Sequence, residues 1–333
     1  MSDLPVIEDT KIQAAAEAIA GCDFLLVATG AGFSADSGLP TYTQVAENAV
    51  YQRQGIEYSD LCRVDCLRKQ PALFYGFWGT CFNAYQEATP HAGYAILKQW
   101  CDHKDSKNEK VPSYYHYTSN VDGHLRKVGF PSSRIHEMHG SIDTWLVLEA
   151  LDTQIGSSEI HLESSFRFPV DRATLEMNPD TLCKLFEEKT DILQQDVHFR
   201  PRVLMFDDGH DSHGAMGLQE SSNRYQIWEE QMEKAMAQGI EPRRLVVLEI
   251  GCGVRVPSVR QECQDVVLDT ALRCQAAGLK AETSCTHIRI NPEDSQIPEP
   301  ADCCERIETI SIQGKAMSTL VAIDDRLQKL SQN

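Results

Sequence analysis

The stretch GAGFSADSGLPTY, from Gly30 to Tyr42, follows directly after the apolar run FLLVAT. Its first six residues fit the pattern G-x-G-x-x-G/A, which is typical of phosphate-binding turns between a strand and a helix. Glycines permit a tight turn and a close approach of the backbone, and the N–H groups at the start of a helix favour negative charge. These residue types and their spacing predict either a diphosphate-binding loop or a tight turn without a ligand.

Two further segments place groups capable of chemistry near the ends of apolar runs. In YTSNVDGHLRKVGF (117–130), Asn120 and Asp122 flank the apolar Val121. They could hydrogen-bond a ligand in a pocket, cap the following helix, or do both. In HEMHGS (136–141), His136 and His139 carry imidazoles, which titrate near neutral pH and suit a general base. The alternative for either imidazole is a buried histidine with a satisfied hydrogen bond.

The elements that must position these groups alternate between strands and helices. Residues 9–21 predict a helix that ends at a glycine, and residues 24–30 predict a buried strand. The alternation continues downstream and predicts an α/β fold with a doubly wound, Rossmann-like parallel sheet. The later predicted strands are 112–119, 202–206, 244–251, 286–291 and 308–314, and the later predicted helices include 222–239 and 264–278.

Two regions interrupt this alternation and predict a smaller lobe inserted into a single domain of residues 1–333. Residues 43–111 are helical and rich in aromatic side chains, and residues 143–200 are mixed and polar. We expect both insertions to build the smaller lobe. The large lobe then comprises residues of about 8–42, 112–142 and 201–320.

Composition excludes several classes of protein. The chain is 42% hydrophobic and 24% charged, as globular proteins are, and no apolar run is long enough to span a bilayer. The net charge of −18 argues against binding nucleic acid through its phosphates. The N-terminus lacks the pattern of a secretory signal, so we expect an intracellular protein, cytoplasmic or nuclear. The 12 scattered cysteines then predict reduced, buried thiols.

Taken over its full length, GAGFSADSGLPTY closely resembles the sirtuin cofactor-loop motif G-A-G-x-S-x-x-S-G-I-P-x-F-R. Residues 117–130 resemble the sirtuin segment T-Q-N-I-D-x-L-H-x-x-A-G, and HEMHGS resembles the segment with the catalytic histidine. Because the matches follow the family's order over about residues 21–320, the chain is identified as a sirtuin-like protein. The remaining matches are PHAGYAIL (90–97), LVVLEIGCGVRVP (245–257) and IRINPE (288–293).

The resemblance implies an NAD-dependent protein-lysine deacylase that cleaves the nicotinamide–ribose bond and moves the acyl group to ADP-ribose. His139 would take a proton from a ribose hydroxyl, with His136 as the second candidate. Asn120 would hold a ribose hydroxyl or a water, and Asp122 would accept a hydrogen bond from the nicotinamide carboxamide. The partner would be an acylated protein or peptide, with neither nucleic acid nor membrane involved. No sequence signal indicates the oligomeric state.

The resemblance also implies the residues that would contact NAD and the acyl peptide. Val256 and Pro257 correspond to a segment of the family's peptide groove. The NAD contacts fall in the glycine loop and at strand ends, and besides Asn120 and Asp122 they are Gly30, Ala31, Gly32, Ser34, Tyr42, Ser119, Val121, Gly251, Cys252, Gly253, Asn291, Pro292 and Glu293.

Several departures from the family pattern bear on this interpretation. Between His139 and Pro201 the sequence has only one cysteine, Cys183, so we expect neither the zinc ribbon of most sirtuins nor another metal. Thr43 replaces an arginine linked to productive cofactor geometry, and Arg53 is the candidate substitute. Ser119 replaces a glutamine. The segment HDSH (210–213) could be a polar loop or a metal site, and we favour the loop.

These departures leave three functions open. The first is protein-lysine deacylation. The second is ADP-ribosyl transfer or plain NAD hydrolysis, which the altered peptide groove and the missing arginine favour. The third is an inactive module that binds NAD or ADP-ribose. A hydride-transferring dehydrogenase is disfavoured, because no acidic residue ends a second strand about 20 residues after the glycine loop.

Overall fold

The structure is a computed structural model of the chain, and it describes most residues between Val6 and Gln332. The described residues are 6–40, 44, 48–105, 110–148, 159–187, 198–209, 218–238, 241–279, 283–298 and 305–332.

The strands and helices are numbered here in chain order. The strands are β1 (Phe24–Thr29), β2 (Tyr114–Thr118), β3 (Ile135–Glu137), β4 (Gly140–Leu148), β5 (Glu159–His161), β6 (His198–Val203), β7 (Arg244–Ile250), β8 (Ser284–Asn291) and β9 (Ile307–Gln313). The helices are α1 (Val6–Gly21), α2 (Ala31–Ala35), α3 (Ala49–Gln54), α4 (Tyr58–Leu61), α5 (Val64–Lys69), α6 (Pro71–Glu87), α7 (Ala92–Asp105), α8 (His124–Lys127), α9 (Pro179–Glu187), α10 (Gln219–Gln238), α11 (Ser258–Ala276) and α12 (Ala316–Leu330). None of these helices is long and apolar enough to cross a bilayer.

Six parallel strands form the large sheet in the order β3-β2-β1-β7-β8-β9. The strand β1 lies at its centre, where Thr29 pairs with Thr118 of β2 on one side and with Ile250 of β7 on the other. Every residue of β1 is buried, because helices cover both faces of the sheet. The predicted doubly wound parallel sheet is therefore confirmed.

Alternate residues of the strands pack against two different layers of helices. On one face, Leu25 and Val27 of β1 share a core with α1, α7 and α12. On the other face, Phe24 and Leu26 share a core with α10 and α11, including Trp228. This alternation follows from the period of two residues in a strand. Both layers leave the carboxyl ends of the strands at one edge, where the predicted site residues lie.

A second, antiparallel sheet has the order β5-β4-β6 and carries its own apolar core. Trp145 of β4 is fully buried there, with Phe74 and Phe77 of α6, Phe186 of α9 and Phe199 of β6. Helix α7, which the sequence placed in the smaller lobe, instead packs in the core of the large sheet. We propose that the first insertion ends near residue 87, before α7.

One predicted strand is wrong in its place and bounds. Residues 202–206 were expected to add a strand to the parallel sheet, but β6 covers His198–Val203 and pairs antiparallel with β4. Phe199 and Val203 point into the core of the second sheet, whereas Leu204 and Phe206 are exposed. The apolar run RVLMF resembled a buried strand, but its pairing depends on distant residues that local hydropathy does not reveal.

Candidate functional site

Two glycine-containing turns meet at the carboxyl edge of the large sheet. One follows β1 and leads into α2, and the other is Gly251–Gly253, which follows β7. The N–H of Gly30 donates to the carbonyl of Ile250 at 3.1 Å, and the N–H of Gly32 donates to the carbonyl of Gly251 at 2.9 Å. The two turns are neighbours because β1 and β7 are adjacent parallel strands.

The glycines in these turns allow backbone to touch backbone. A Cβ on Gly30 would lie 2.8 Å from the Gly251 carbonyl oxygen, and a Cβ on Gly32 would lie 2.9 Å from the same atom. Gly251 itself has a φ of +65°, a conformation that favours glycine. Gly253 differs, because a Cβ there would meet no atom within 4 Å. Close packing of the two turns therefore explains three of the glycines, and Gly253 faces open space.

A polar cluster lies beside the first turn, at the start of α2. The Ser34 hydroxyl donates to Asp122 Oδ2 at 2.5 Å and lies 3.1 Å from the Tyr94 hydroxyl. Asn120 Nδ2 donates both to Ser34 Oγ at 3.1 Å and to the Gly30 carbonyl at 3.0 Å. Ser34, Asn120 and Asp122, predicted from separate segments, are thus brought into direct contact.

Threonines at the ends of β1 and β2 hold this cluster in place. Thr29 Oγ1 donates to Thr118 Oγ1 at 2.8 Å, and Thr118 Oγ1 accepts from the Asn120 N–H at 3.1 Å. Asp122 Oδ1 also accepts from the His124 N–H at 2.9 Å, which forms an Asx turn that leads into α8, whose N-cap residue is Gly123. The local turn contact that the sequence offered as the alternative for Asp122 is therefore present.

A small cavity opens on the cluster. Its walls include three ionisable side chains that sequence reasoning had not assigned to the site: Tyr94, His124 and Glu137. Burial lowers the pKa of His124, and burial also raises the pKa of Glu137 to about 7 although Arg126 contacts it. The full lining is Thr29, Tyr94, Thr118, Asn120, Asp122, His124, Leu125 and Glu137.

The two histidines of HEMHGS face different surroundings. His136 is buried against α10, where its ring stacks on Tyr225 and Nδ1 lies 3.1 Å from the Ser221 hydroxyl. Burial lowers the pKa of His136 to about 4. His139 hydrogen-bonds the backbone of Ser119, the residue that precedes Asn120; burial lowers the pKa of His139, and this bond partly offsets the effect. Of the two, His139 is the one that contacts the β2 loop.

Asn291 braces the second turn from the end of β8. Its Nδ2 donates to the Cys252 carbonyl at 2.9 Å, and its Oδ1 accepts from the N–H groups of Glu293 and Asp294 at 3.0 and 3.1 Å. The Asn291 side chain is buried, and its contacts stabilise the turn that begins with Pro292 at the end of β8. The thiol of Cys252 points inward, 3.6 Å from the Ile250 carbonyl.

Beneath the second turn lies the one group of three possible metal ligands within the described parts of the chain: Glu249, Cys263 and His287. The Arg289 Nε lies 2.8 Å from Glu249 Oε1 and supplies the compensating charge. Burial raises the pKa of the Cys263 thiol, which disfavours the thiolate that a metal would need. An ion pair between Glu249 and Arg289 is the simpler account of this cluster.

Some of the other predicted residues lie in the described part of the chain and some do not. Val256 is half-buried, Pro257 is exposed, and together they lead into α11. Val121 is buried in the loop between Asn120 and Asp122. Tyr42, Thr43 and the HDSH segment (210–213) lie outside the described residues.

With this geometry in place, comparison with known proteins identifies the family. The model of the Sir2 family matches residues 30–207, which is more than half of the chain. The chain belongs to the Sir2 family. The matched region begins at the first glycine of the β1 turn and contains the polar cluster and both histidines.

Curated relatives match over part of their length. NAD-dependent protein deacylase 2 of Pseudomonas aeruginosa is 31% identical over 156 residues, which are 46% of this chain and 57% of that protein. The mitochondrial NAD-dependent protein lipoamidase sirtuin-4 of Homo sapiens is 29% identical over 151 residues, which are 44% of this chain and 43% of that protein. The chain spans about half the length of the curated relatives it matches.

Solved structures match over nearly the whole chain. A crystal structure of a Sir2 homologue–NAD complex superposes with a TM-score of 0.59 and 16% identity, covering 96% of this chain and 94% of that one. A structure described as the structural basis of sirtuin substrate affinity gives a TM-score of 0.54 and 14% identity, with 94% and 97% covered. At such low identity the likeness establishes the fold.

Proposed function

We propose that the chain is an NAD-dependent protein-lysine deacylase. The observation that supports this function best is the cluster of Ser34, Asn120 and Asp122 beside the two glycine turns, with His139 bonded to the same loop. The relatives named above, a deacylase and a lipoamidase, are both described as NAD-dependent. In this proposal the ADP-ribose part of NAD lies along the turns, and the nicotinamide carboxamide lies beside Asp122.

The residues of the cluster fit NAD through the hydrogen-bonding groups that remain to them. Both Asn120 N–H groups are engaged by Gly30 and Ser34, which leaves the side-chain oxygen to accept from a ribose hydroxyl or a water. Each oxygen of Asp122 accepts one hydrogen bond and can accept another, from the nicotinamide carboxamide. Gly253 leaves space for the ligand to approach the second turn.

NAD would supply the nicotinamide–ribose bond, whose cleavage lets the acyl oxygen bond to the ribose. The role proposed for His139 is to accept a proton from a ribose hydroxyl. Since burial lowers the pKa of His139, its imidazole is neutral at pH 7 and ready to accept that proton. Arg126 lies behind the cavity, where it donates to Ser141 and Asp143 as well as Glu137, and so fixes the lining.

The proposed partner is an acylated protein or peptide. The Leu204 N–H donates to the His139 carbonyl at 2.9 Å, which puts this exposed apolar residue beside the proposed base. Phe206, two residues on, is 54% exposed. Apolar side chains left exposed next to a base are suited to contact the aliphatic part of an acyl-lysine.

The proposal is tested by incubating the protein with NAD and acetyl-lysine peptides and measuring nicotinamide and free-lysine peptide together. We expect the two products in equal amounts. In His139→Ala we expect the rate of deacylation to fall by at least about 100-fold while the melting temperature stays unchanged. His136→Phe is the matched control, because it keeps the stacking on Tyr225 and should retain activity.

The other products distinguish the alternative functions. If no deacylated peptide forms, free ADP-ribose would indicate NAD hydrolysis, and ADP-ribosylated protein would indicate ADP-ribosyl transfer. Either result would contradict deacylation. If the protein binds NAD but releases no nicotinamide with any of a broad panel of acyl peptides, it is an inactive binding module.

A further inference from the structure

A buried group of charges lies between β7, β8 and α11, directly beneath the Gly251–Gly253 turn. Glu249 is completely buried, and its two carboxylate oxygens contact Arg289 Nε at 2.8 Å and His287 Nε2 at 3.0 Å. Both partners are also buried. Desolvation offsets much of the attraction between such buried charges, so their net contribution to stability is small.

The outermost member of this group is Arg260, in the first turn of α11. Its Nε and one terminal nitrogen donate to the Cys252 carbonyl at 2.9 and 2.7 Å, and the same terminal nitrogen donates to the Asp294 carbonyl at 2.8 Å. Glu249 lies 3.8 Å behind the guanidinium. Arg260 therefore connects three segments: the turn after β7, the turn after β8, and α11.

The Cys252 carbonyl accepts from Asn291 as well as from Arg260. Two side chains from different elements thus converge on one carbonyl and fix the orientation of its peptide group. Cys252 turns its own side chain inward, and Gly253 has none, so this turn can offer a ligand only its backbone. The backbone conformation of the turn must then decide how well it binds.

We propose that Arg260 is a positioning residue that holds the Gly251–Gly253 turn in the conformation that binds ADP-ribose, and that Glu249 holds Arg260. This inference rests on the proposed function, because it takes the turn to be part of the NAD site. The planar guanidinium suits the task, since it can donate to two carbonyls at once.

The test compares Arg260→Met and Arg260→Lys with the unaltered protein by calorimetric titration of ADP-ribose and of NAD. If the competent conformation falls to a tenth of the molecules, both dissociation constants rise about tenfold in Arg260→Met. Arg260→Lys keeps the charge and one donor group and should recover part of the loss. Arg273→Met is the matched control, because Arg273 lies on the same helix and pairs with Glu233 away from the turn.

A second comparison separates this role from a general loss of the site. Asp122→Asn should weaken NAD binding and spare ADP-ribose, because ADP-ribose lacks the carboxamide, whereas Arg260→Met should weaken both ligands. Hydrogen exchange of the amides in residues 251–256 should be faster in the Arg260 variants without any ligand. This readout does not depend on activity.

The outcomes are distinct. If the unaltered protein binds ADP-ribose, and Arg260→Met binds it equally well with unchanged exchange in the turn, the inference is wrong and the proposed function stands. If the unaltered protein binds neither ADP-ribose nor NAD, both the inference and the proposed function are wrong. If Arg260→Met fails to fold, Arg260→Lys decides by the same titration and exchange measurements.

Discussion

Replacing Gly32 by alanine tests whether the turns after β1 and β7 pack directly against each other. The new Cβ would lie 2.9 Å from both Cα and the carbonyl oxygen of Gly251, about 0.5 Å closer than ordinary contact. These are backbone atoms that cannot rotate away, so one turn must shift. Overpacking of this kind typically destabilises a protein by about 1–3 kcal/mol.

The expected change in melting temperature follows from the size of the chain. At roughly 2 cal/mol/K per residue, unfolding 333 residues has an entropy of roughly 0.7 kcal/mol/K, so Gly32→Ala should lower the midpoint by about 1.5–4 °C. Because the shift also moves the Ser34 hydroxyl, we expect weaker ADP-ribose binding in the same variant. Differential scanning calorimetry and titration measure the two effects.

Gly209→Ala is the matched control for this experiment. A Cβ on Gly209 would meet no atom within 4 Å, so the change should leave the midpoint the same or raise it slightly through the unfolded state. Equal midpoints for Gly32→Ala, Gly209→Ala and the unaltered protein would show that the two turns are not in contact, and the reasoning about the glycines would be wrong.

Four further predictions follow from the structure. The rate of formation of deacylated peptide should rise with pH through an inflection below 6.5, because burial lowers the pKa of His139 and only its neutral form accepts a proton; an inflection above that value would contradict this role. Asp208→Ala should lower the free energy of unfolding in urea by about 3–5 kcal/mol, since it leaves the buried Arg200 unpaired, whereas removing the exposed Asp65 should change it by less than about 1 kcal/mol; similar losses would refute the contrast. Dialysis against a chelator should leave the melting temperature unchanged, because buried apolar side chains fill the core of the second sheet; one equivalent of tightly bound zinc by mass spectrometry would disprove this. Gly253→Ala should keep the melting temperature but weaken ADP-ribose binding, because its methyl group enters open space at the proposed site; unchanged affinity would remove this turn from the site.

The sequence predicted the central part of the fold because that part is governed by local signals. The strands β1, β2, β7 and β8 are apolar runs whose residues are almost all buried, and a parallel sheet covered on both faces requires such runs. The predictions were less accurate where partners are distant in the sequence. The apolar run at residues 202–206 gives no sign that β6 pairs with β4, and the helical pattern of α7 gives no sign of which core it joins.

The candidate site divides in the same way. Gly30, Asn120 and Asp122 were identified because each stands in a long motif, and the structure brings them together. The contacts of Glu249 and Arg260 were not predictable, because they depend on the order of strands and on the face that α11 presents. A charged residue inside the apolar run LVVLEIG was the available signal, since such a residue needs a compensating charge nearby.

A crystal structure of the protein with NAD and an acyl-lysine peptide would test the central claim most directly. The account predicts ADP-ribose along the Gly30–Gly32 and Gly251–Gly253 turns, the carboxamide within hydrogen-bond distance of Asp122, and the His139 ring beside the nicotinamide ribose. Clear density for NAD at another surface, or NAD on these turns with His139 directed away from the ribose, would contradict it.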